Sequence, residues 1–203
     1  DARVSNIQSD GYRDRATSDL KSYFLQGGYY GENTTLKFIT FGGKEKTYHA
    51  WDGISREQLE TDRTYNPNGA IKDDNLNKGN IIGFYDDQTD NYEQTNYQLI
   101  FNHLFSPEWH LNIALHYTDG FGYYQERTLE EYGLKPFYLP ENTEAQTKTN
   151  LVRQKLVDSG FGGGVFSVDY KDEKLSASLG GGLNHYSNDH YGKVIWVKNY
   201  TEP

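Results

Sequence analysis

The chain has 203 residues, with 20 Lys and Arg against 29 Asp and Glu, a formal net charge of −9; it has no clustered cations to hold a phosphate backbone, and no nucleic-acid partner is expected. It has no Cys, which removes disulfides, thiolate metal sites and cysteine nucleophiles. Aromatic residues make up 15% of the chain and 21 residues are Gly, and no apolar run approaches the ~18 residues of a membrane helix. That mixture favours β-structure and leaves a membrane β-barrel open, because barrel strands alternate and never build a long apolar run.

In chain order, the first predicted element is a hairpin over residues 20–41. Tyr23, Leu25 and Tyr29 lead to Gly31-Glu32-Asn33, and Leu36 and Phe38 return, while Phe24, Ile39 and Phe41 blur the two faces. Residues 43–90 follow as a long polar connection carrying Asn66-Pro67-Asn68-Gly69, Asp73-Asp74-Asn75 and Asp86-Asp87, which is turn chemistry. Within it, Ser55–Asp62 predicts a short helix capped by Ser55, with Gln58 completing a capping box.

The clearest hairpin spans residues 96–118. Tyr97, Leu99, Phe101 and Phe105 share a face, interrupted by His103, and Leu111, Ile113, Leu115 and Tyr117 repeat the pattern after Ser106-Pro107-Glu108. Asn96, Gln98, Asn102, Asn112, His116 and Thr118 take the other face. Pro107 cannot donate to a ladder and marks the turn. Residues 119–150 form a second long connection.

The third hairpin covers residues 161–185. Gly162, Gly164, Phe166, Val168 and Tyr170 run into Lys171-Asp172-Glu173-Lys174, and Leu175, Ala177, Leu179, Gly181 and Leu183 return, with Tyr170 set opposite Leu175. The glycines of residues 160–164 are expected to bend the strand or open a bulge. Residues 186–203 are a third long connection.

Short turns near residues 32, 107 and 172 therefore alternate with long connections. Compact soluble domains rarely carry loops of that length, whereas outer-membrane barrels place short turns on one side and long loops on the other. Aromatic residues also collect near strand ends: Tyr29, Tyr30, Phe105, Trp109 and Tyr170 by the short turns, and Tyr117, Tyr123, Tyr124 and Tyr186 toward the long loops. Rings at both interfaces suit a membrane-spanning sheet.

Several stretches resemble the barrel of TonB-dependent outer-membrane receptors of Gram-negative bacteria, in the siderophore and cobalamin branch. Ser9-Asp10-Gly11-Tyr12-Arg13-Asp14-Arg15-Ala16 with Asp19-Leu20-Lys21-Ser22-Tyr23 is similar to a loop end and its descending strand. Phe41-Gly42-Gly43-Lys44-Glu45, with Thr47-Tyr48 and Ala50-Trp51, resembles the next strand's outer end. Arg63-Thr64-Tyr65-Asn66-Pro67, then Tyr85-Asp86 and Thr89-Asp90-Asn91-Tyr92, resemble the loop leading into the central hairpin.

The resemblance implies an all-β chain, an antiparallel up-and-down meander of about six strands belonging to a transmembrane barrel of about 22. It implies active uptake of a scarce nutrient, outer-membrane lipid around the barrel, and TonB as partner through a plug domain that this chain lacks. The sequence opens at Asp1 without a leader and ends at Pro203, so it reads as a central barrel segment that in isolation would pair its open edges or pack its apolar face with another copy. The competing reading is a soluble extracellular β-domain that binds carbohydrate through loop aromatics; a passive porin-like barrel is a third.

By position, Trp51, Tyr65, Tyr85, Tyr123 and Tyr124 are the candidate ligand-binding residues. No catalytic residue, resident metal or cofactor is expected. His185 and His190 lack a ligating signature, and His103 and His116 fall on opposite faces. Asp73, Asn75 and Asn77 imitate a calcium loop, but Gly79 is one place late and Phe84 stands where an acid is needed. A looser calcium site from Asp86, Asp87 and Asp90 stays open. Glu130 and Glu131 are a carboxylate pair of the kind chance supplies in an acidic chain.

Overall fold

The computed structural model describes residues 1–73, 79–130 and 149–198, without the side chains of residues 129, 130 and 149. Strand takes 72% and helix 3%, so the fold is all-β. The elements are β1 (Ala2–Ser9), β2 (Ser18–Tyr30), β3 (Thr34–Tyr48), α1 (Arg56–Thr61), β4 (Ala70–Lys72), β5 (Ile81–Phe84), β6 (Thr89–Leu104), β7 (Trp109–Glu130), β8 (Thr149–Lys171) and β9 (Ser176–Val197). One antiparallel sheet takes β1-β2-β3-β6-β7-β8-β9 in that order, with β4–β5 as a separate small hairpin. The sheet is a meander that does not close, and β1 and β9 are its edges.

Tight turns join the strands at one end. The Gly31 N–H donates to the Thr34 carbonyl at 2.8 Å, and the Ser106 hydroxyl donates to the Glu108 carboxylate at 2.6 Å across Pro107. Asp172 accepts from the backbone N–H groups of Lys174 and Leu175, each at 2.7 Å. Short polar side chains satisfy the turn backbone locally, so each turn needs only a few residues. The opposite end carries residues 10–17 and the described residues of 49–88.

Register sorts the side chains into rows. His103, Leu111, Val168 and Leu179 form one row; Leu36, Phe101, Ile113 and Phe166 the next; then Phe38, Leu99, Leu115, Gly164 and Leu183. All lie on one face because the pleat alternates. Along β7 this belt runs from Trp109 to Tyr117, roughly 30 Å of strand and ~23 Å of height at a ~40° tilt. Aromatic rings edge it at the turn end, where Trp109 and Tyr170 pack at 4.9 Å and His103 meets Phe105 at 4.6 Å.

Among the described residues no second layer covers the belt: Leu115 is 49%, Leu179 72% and Leu183 81% exposed. The buried hydrophobic residues are Tyr48, Leu151, Val152 and Leu156, all toward the long-loop end. On the other face polar side chains bond one another. Asn112 donates to Ser167 and Asp169 at 3.0 Å each, and Thr118 donates to Asn96 at 2.8 Å. Phe24 and Phe41, stacked at 6.5 Å, break that polarity on β2–β3, where the sequence blurs.

Several expectations change. The main sheet has seven strands rather than six, because Val4 and Ile7 of β1 fall on opposite faces and leave no apolar alternation to read. The connections assigned to residues 43–90, 119–150 and 186–203 are partly strand: β3 continues to Tyr48, β7 to Glu130 and β9 to Val197. Beyond the belt apolar residues fall on both faces, as Leu151 and Val152 do, so alternation fades while backbone pairing persists. Tyr170 faces Ala177 rather than Leu175, which lies in the turn; the two-residue shift preserves the faces.

The glycine run makes no bulge. Pairing through residues 159–164 is unbroken, and the one β8–β9 irregularity falls at Val152/Arg153. Instead Gly163 lets His116 and Asn184 meet over its bare backbone at 3.0 Å. A Cβ there would stand 2.2 Å from Asn184 Oδ1 and 2.3 Å from the Leu183 carbonyl oxygen. Gly163→Ala is therefore expected to cost about 1–3 kcal/mol by overpacking, read as a lowered unfolding midpoint, whereas Gly27→Ala, with open space around its Cβ, should change little.

Candidate functional site

At the long-loop end, the described residues between β3 and β6 are held by a hydrogen-bond network. Ser55 caps α1 and Gln58 completes the capping box. Asn66, fully buried, donates through Nδ2 to the carbonyls of Asp14 (3.0 Å) and His49 (2.9 Å). Its Oδ1 accepts from the N–H and side-chain amide of Asn68 at 3.1 and 3.0 Å. One side chain thus satisfies backbone groups of three chain segments.

Two arginines from the β1–β2 loop finish the clamp. Arg13 donates to the carbonyls of Ala50, Asp52 (2.9 Å) and Tyr65 (3.0 Å). Arg15, in the left-handed region at φ 61°, donates to the Asn66 carbonyl and lays its guanidinium 3.4 Å from the Phe84 ring centroid. Gly69 at φ 77° brings its chain against the Tyr48 hydroxyl. Burial raises the Tyr48 pKa, countered in part by Arg15; the phenol keeps its proton and donates to the Tyr85 carbonyl at 2.9 Å.

Because Arg13 grips the carbonyls on either side of residue 51, the Trp51 side chain is presented outward and is 59% exposed. Its indole stacks on His49 at 4.0 Å and meets Tyr124 edge-on at 6.2 Å. The Lys155 ammonium lies 5.0 Å from the Tyr124 ring centroid, and Arg153 pairs with Glu126 at 2.8 Å on the same strands. The group forms an apolar platform edged by a cation, suited to a planar or apolar ligand bearing an anionic group.

Of the candidates read from the sequence, Trp51 and Tyr124 come together here. Tyr65 acts through its carbonyl as an anchor for Arg13. Tyr85 accepts from Gln125 at 2.8 Å and braces the loop. Tyr123 takes the opposite face of β7, beside Phe121. Sequence reasoning missed His49, Lys155, Arg13 and Arg15. The spacing of His49 and Trp51 was a usable signal; Lys155 falls between the connection over residues 119–150 and the hairpin over residues 161–185, where the sequence assigns no element.

His49 is 2% exposed and neither ring nitrogen has a hydrogen-bond partner. Burial lowers its pKa, opposed by the charges of Asp90, Glu126 and Asp52. The unfolded chain therefore binds more protons than the folded one below about pH 6.5, and stability falls as pH drops from there by up to ~1.4 kcal/mol per unit until the folded imidazole itself protonates. Above pH 7 both states are neutral and the dependence vanishes. Trp51 emission titrated from pH 8 to 4 should report this release, and His49→Phe should flatten it.

No three acidic or histidine side chains converge on a metal position among the described residues. Asp87 turns to Lys46 at 3.1 Å rather than joining Asp86 and Asp90, which leaves the looser calcium site without a built ligand set. His185 and His190 take opposite faces of β9, as His103 and His116 do of β6–β7. Asn75, Asn77, Glu131 and the Glu130 side chain lie outside the described residues.

No family model, curated protein or solved structure matches this chain.

Proposed function

We propose that this sheet is a section of the transmembrane barrel of a TonB-dependent outer-membrane receptor of a Gram-negative bacterium, which imports a scarce nutrient such as an iron–siderophore or cobalamin. The observation that carries the reading is the uncovered belt: aliphatic and aromatic rows about one bilayer tall on a single-layer sheet. In water such a face would be a liability; in lipid it is the required surface. A soluble carbohydrate-binding domain would need a second sheet over Leu99, Phe101, Leu111, Ile113, Leu115 and Leu179.

Under this reading, further strands beyond β1 and β9 close a barrel of about 22, and a plug elsewhere in the protein receives energy from TonB. The strand ends above the belt and the Trp51–Tyr124 platform form part of the outer mouth that first meets the nutrient. The test is nutrient-limited growth of cells carrying the full-length protein. Uptake lost on TonB deletion and weakened by Trp51→Ala with Tyr124→Ala supports the receptor; uptake indifferent to TonB overturns it in favour of a passive barrel.

A further inference from the structure

We infer that the polar face of the sheet, between the long-loop platform and the tight turns, holds a neutral oligosaccharide. The inference rests on the uptake reading above and deepens it by naming the class of nutrient that this wall takes.

Charge locates the site. Asp, Glu, Lys and Arg make up 24% of the chain, yet three successive rows of this face carry none of them from β2 to β9. The rows start at Ser22, Phe24 and Gln26 and end at Asn188, Tyr186 and Asn184. Charge resumes one row away, at Glu45 toward the long loops and at Lys37 toward the turns, and Arg3 bounds the band beside Phe24. A wall that only had to be wetted would carry ions here as it does on every side. An ionic ligand would need the opposite charge on the wall, and this band offers none.

Aromatic rings stand at both sides of the band. Phe161 and Tyr186 pack at 6.3 Å, with His116 against Phe161 at 4.8 Å, and the Phe24–Phe41 stack faces them from β2–β3. Phe41, Phe161 and Tyr186 are all exposed. Phe41 and Tyr186 are four strand spacings apart, ~19 Å, which suits a run of sugar rings rather than one. Ring faces accept the apolar C–H faces of a sugar, and side-chain amides both donate and accept, as sugar hydroxyls do. Asn184 gives its Oδ1 to His116 at 3.0 Å and keeps its amide hydrogens for a ligand. Among the described residues the Gln98 side chain and the Tyr186 hydroxyl have no hydrogen-bond partner. Gly120 keeps the floor between the rings low, since a Cβ there would stand 2.5 Å from the Tyr92 hydroxyl oxygen.

The test passes the full-length protein, in a detergent without a sugar headgroup, over immobilised malto-, cello- and mannooligosaccharides, an oligogalacturonate and a ferric catecholate. Wild type should be retained most strongly on one of the neutral series. Phe161→Ala with Tyr186→Ala should weaken that retention roughly tenfold. Gln98→Ala, which removes no side-chain bond that the fold uses, should weaken it several-fold. Retention that neither variant alters overturns the inference. So does retention on the oligogalacturonate or the ferric catecholate that matches every neutral series, or no retention at all; TonB-dependent uptake alongside that result leaves the receptor reading standing. Neutral retention lost in the variants, with uptake indifferent to TonB, upholds the site and overturns the receptor.

Discussion

Leu115→Arg is expected to cost the protein about 2–4 kcal/mol in a bilayer, the largest effect of any single change on the belt. Leu115 sits in the middle row, flanked by Leu99 on β6 and by Gly164 on β8. Its side chain meets the open Gly164 position, where an added Cβ would be 2.6 Å from Leu115 Cδ2. In lipid, a guanidinium at this depth must carry water with it or bend toward the headgroups. In water the same residue is half exposed and the substitution would fall within ±0.5 kcal/mol. Gln98→Arg, one position away on the polar face, should cost less than about 1 kcal/mol. Reversible urea unfolding in lipid vesicles measures both, and equal small costs would argue for a solvated sheet.

Asn66→Ala is the second large change. It leaves the His49 carbonyl and the Asn68 amide without partners in a buried place, and the Asp14 carbonyl in a part-buried one; each buried group costs ~1–3 kcal/mol. A local loss of at least ~2 kcal/mol should open residues 49–69 without melting the sheet, because strand pairing does not pass through Asn66. Hydrogen exchange confined to that segment, together with a red shift of Trp51 emission, is the expected signature. Asn66→Asp keeps the acceptor for Asn68 and should fall between. If protection is unchanged, the segment is held by the arginines alone.

The parts of the fold legible in the sequence are those where the two faces differ in polarity. Tyr97, Leu99 and Phe101 alternate with Gln98 and Asn102 because one side needs apolar atoms and the other needs hydrogen bonds, and the hairpin follows from that. Past Tyr117 the demand lapses. Asp119 and Gly120, or Asp189 and His190, show no alternation, although β7 and β9 continue through them. The capping box at Ser55 and Gln58 was legible because its chemistry is local. The clamp was not: Arg13, Asn66 and His49 are joined by contacts spanning 17 to 52 positions, and nothing in their immediate neighbours announces the meeting.

The spacing of the connections also sets an order of assembly. Residues 31–33, 105–108 and 172–175 close β2–β3, β6–β7 and β8–β9 over three or four residues, while the β3–β6 link spans residues 49–88 and is about ten times longer. By chain statistics that costs only ~2 kcal/mol more to close, but it must be met before any β3–β6 contact rewards it. The sheet therefore forms as ready-made pairs that zip together laterally, while the Arg13–Asn66 knot ties only the β1–β2 loop to the β3–β6 link. A chain stalled during assembly would display complete hairpins with their facing edges still unmet.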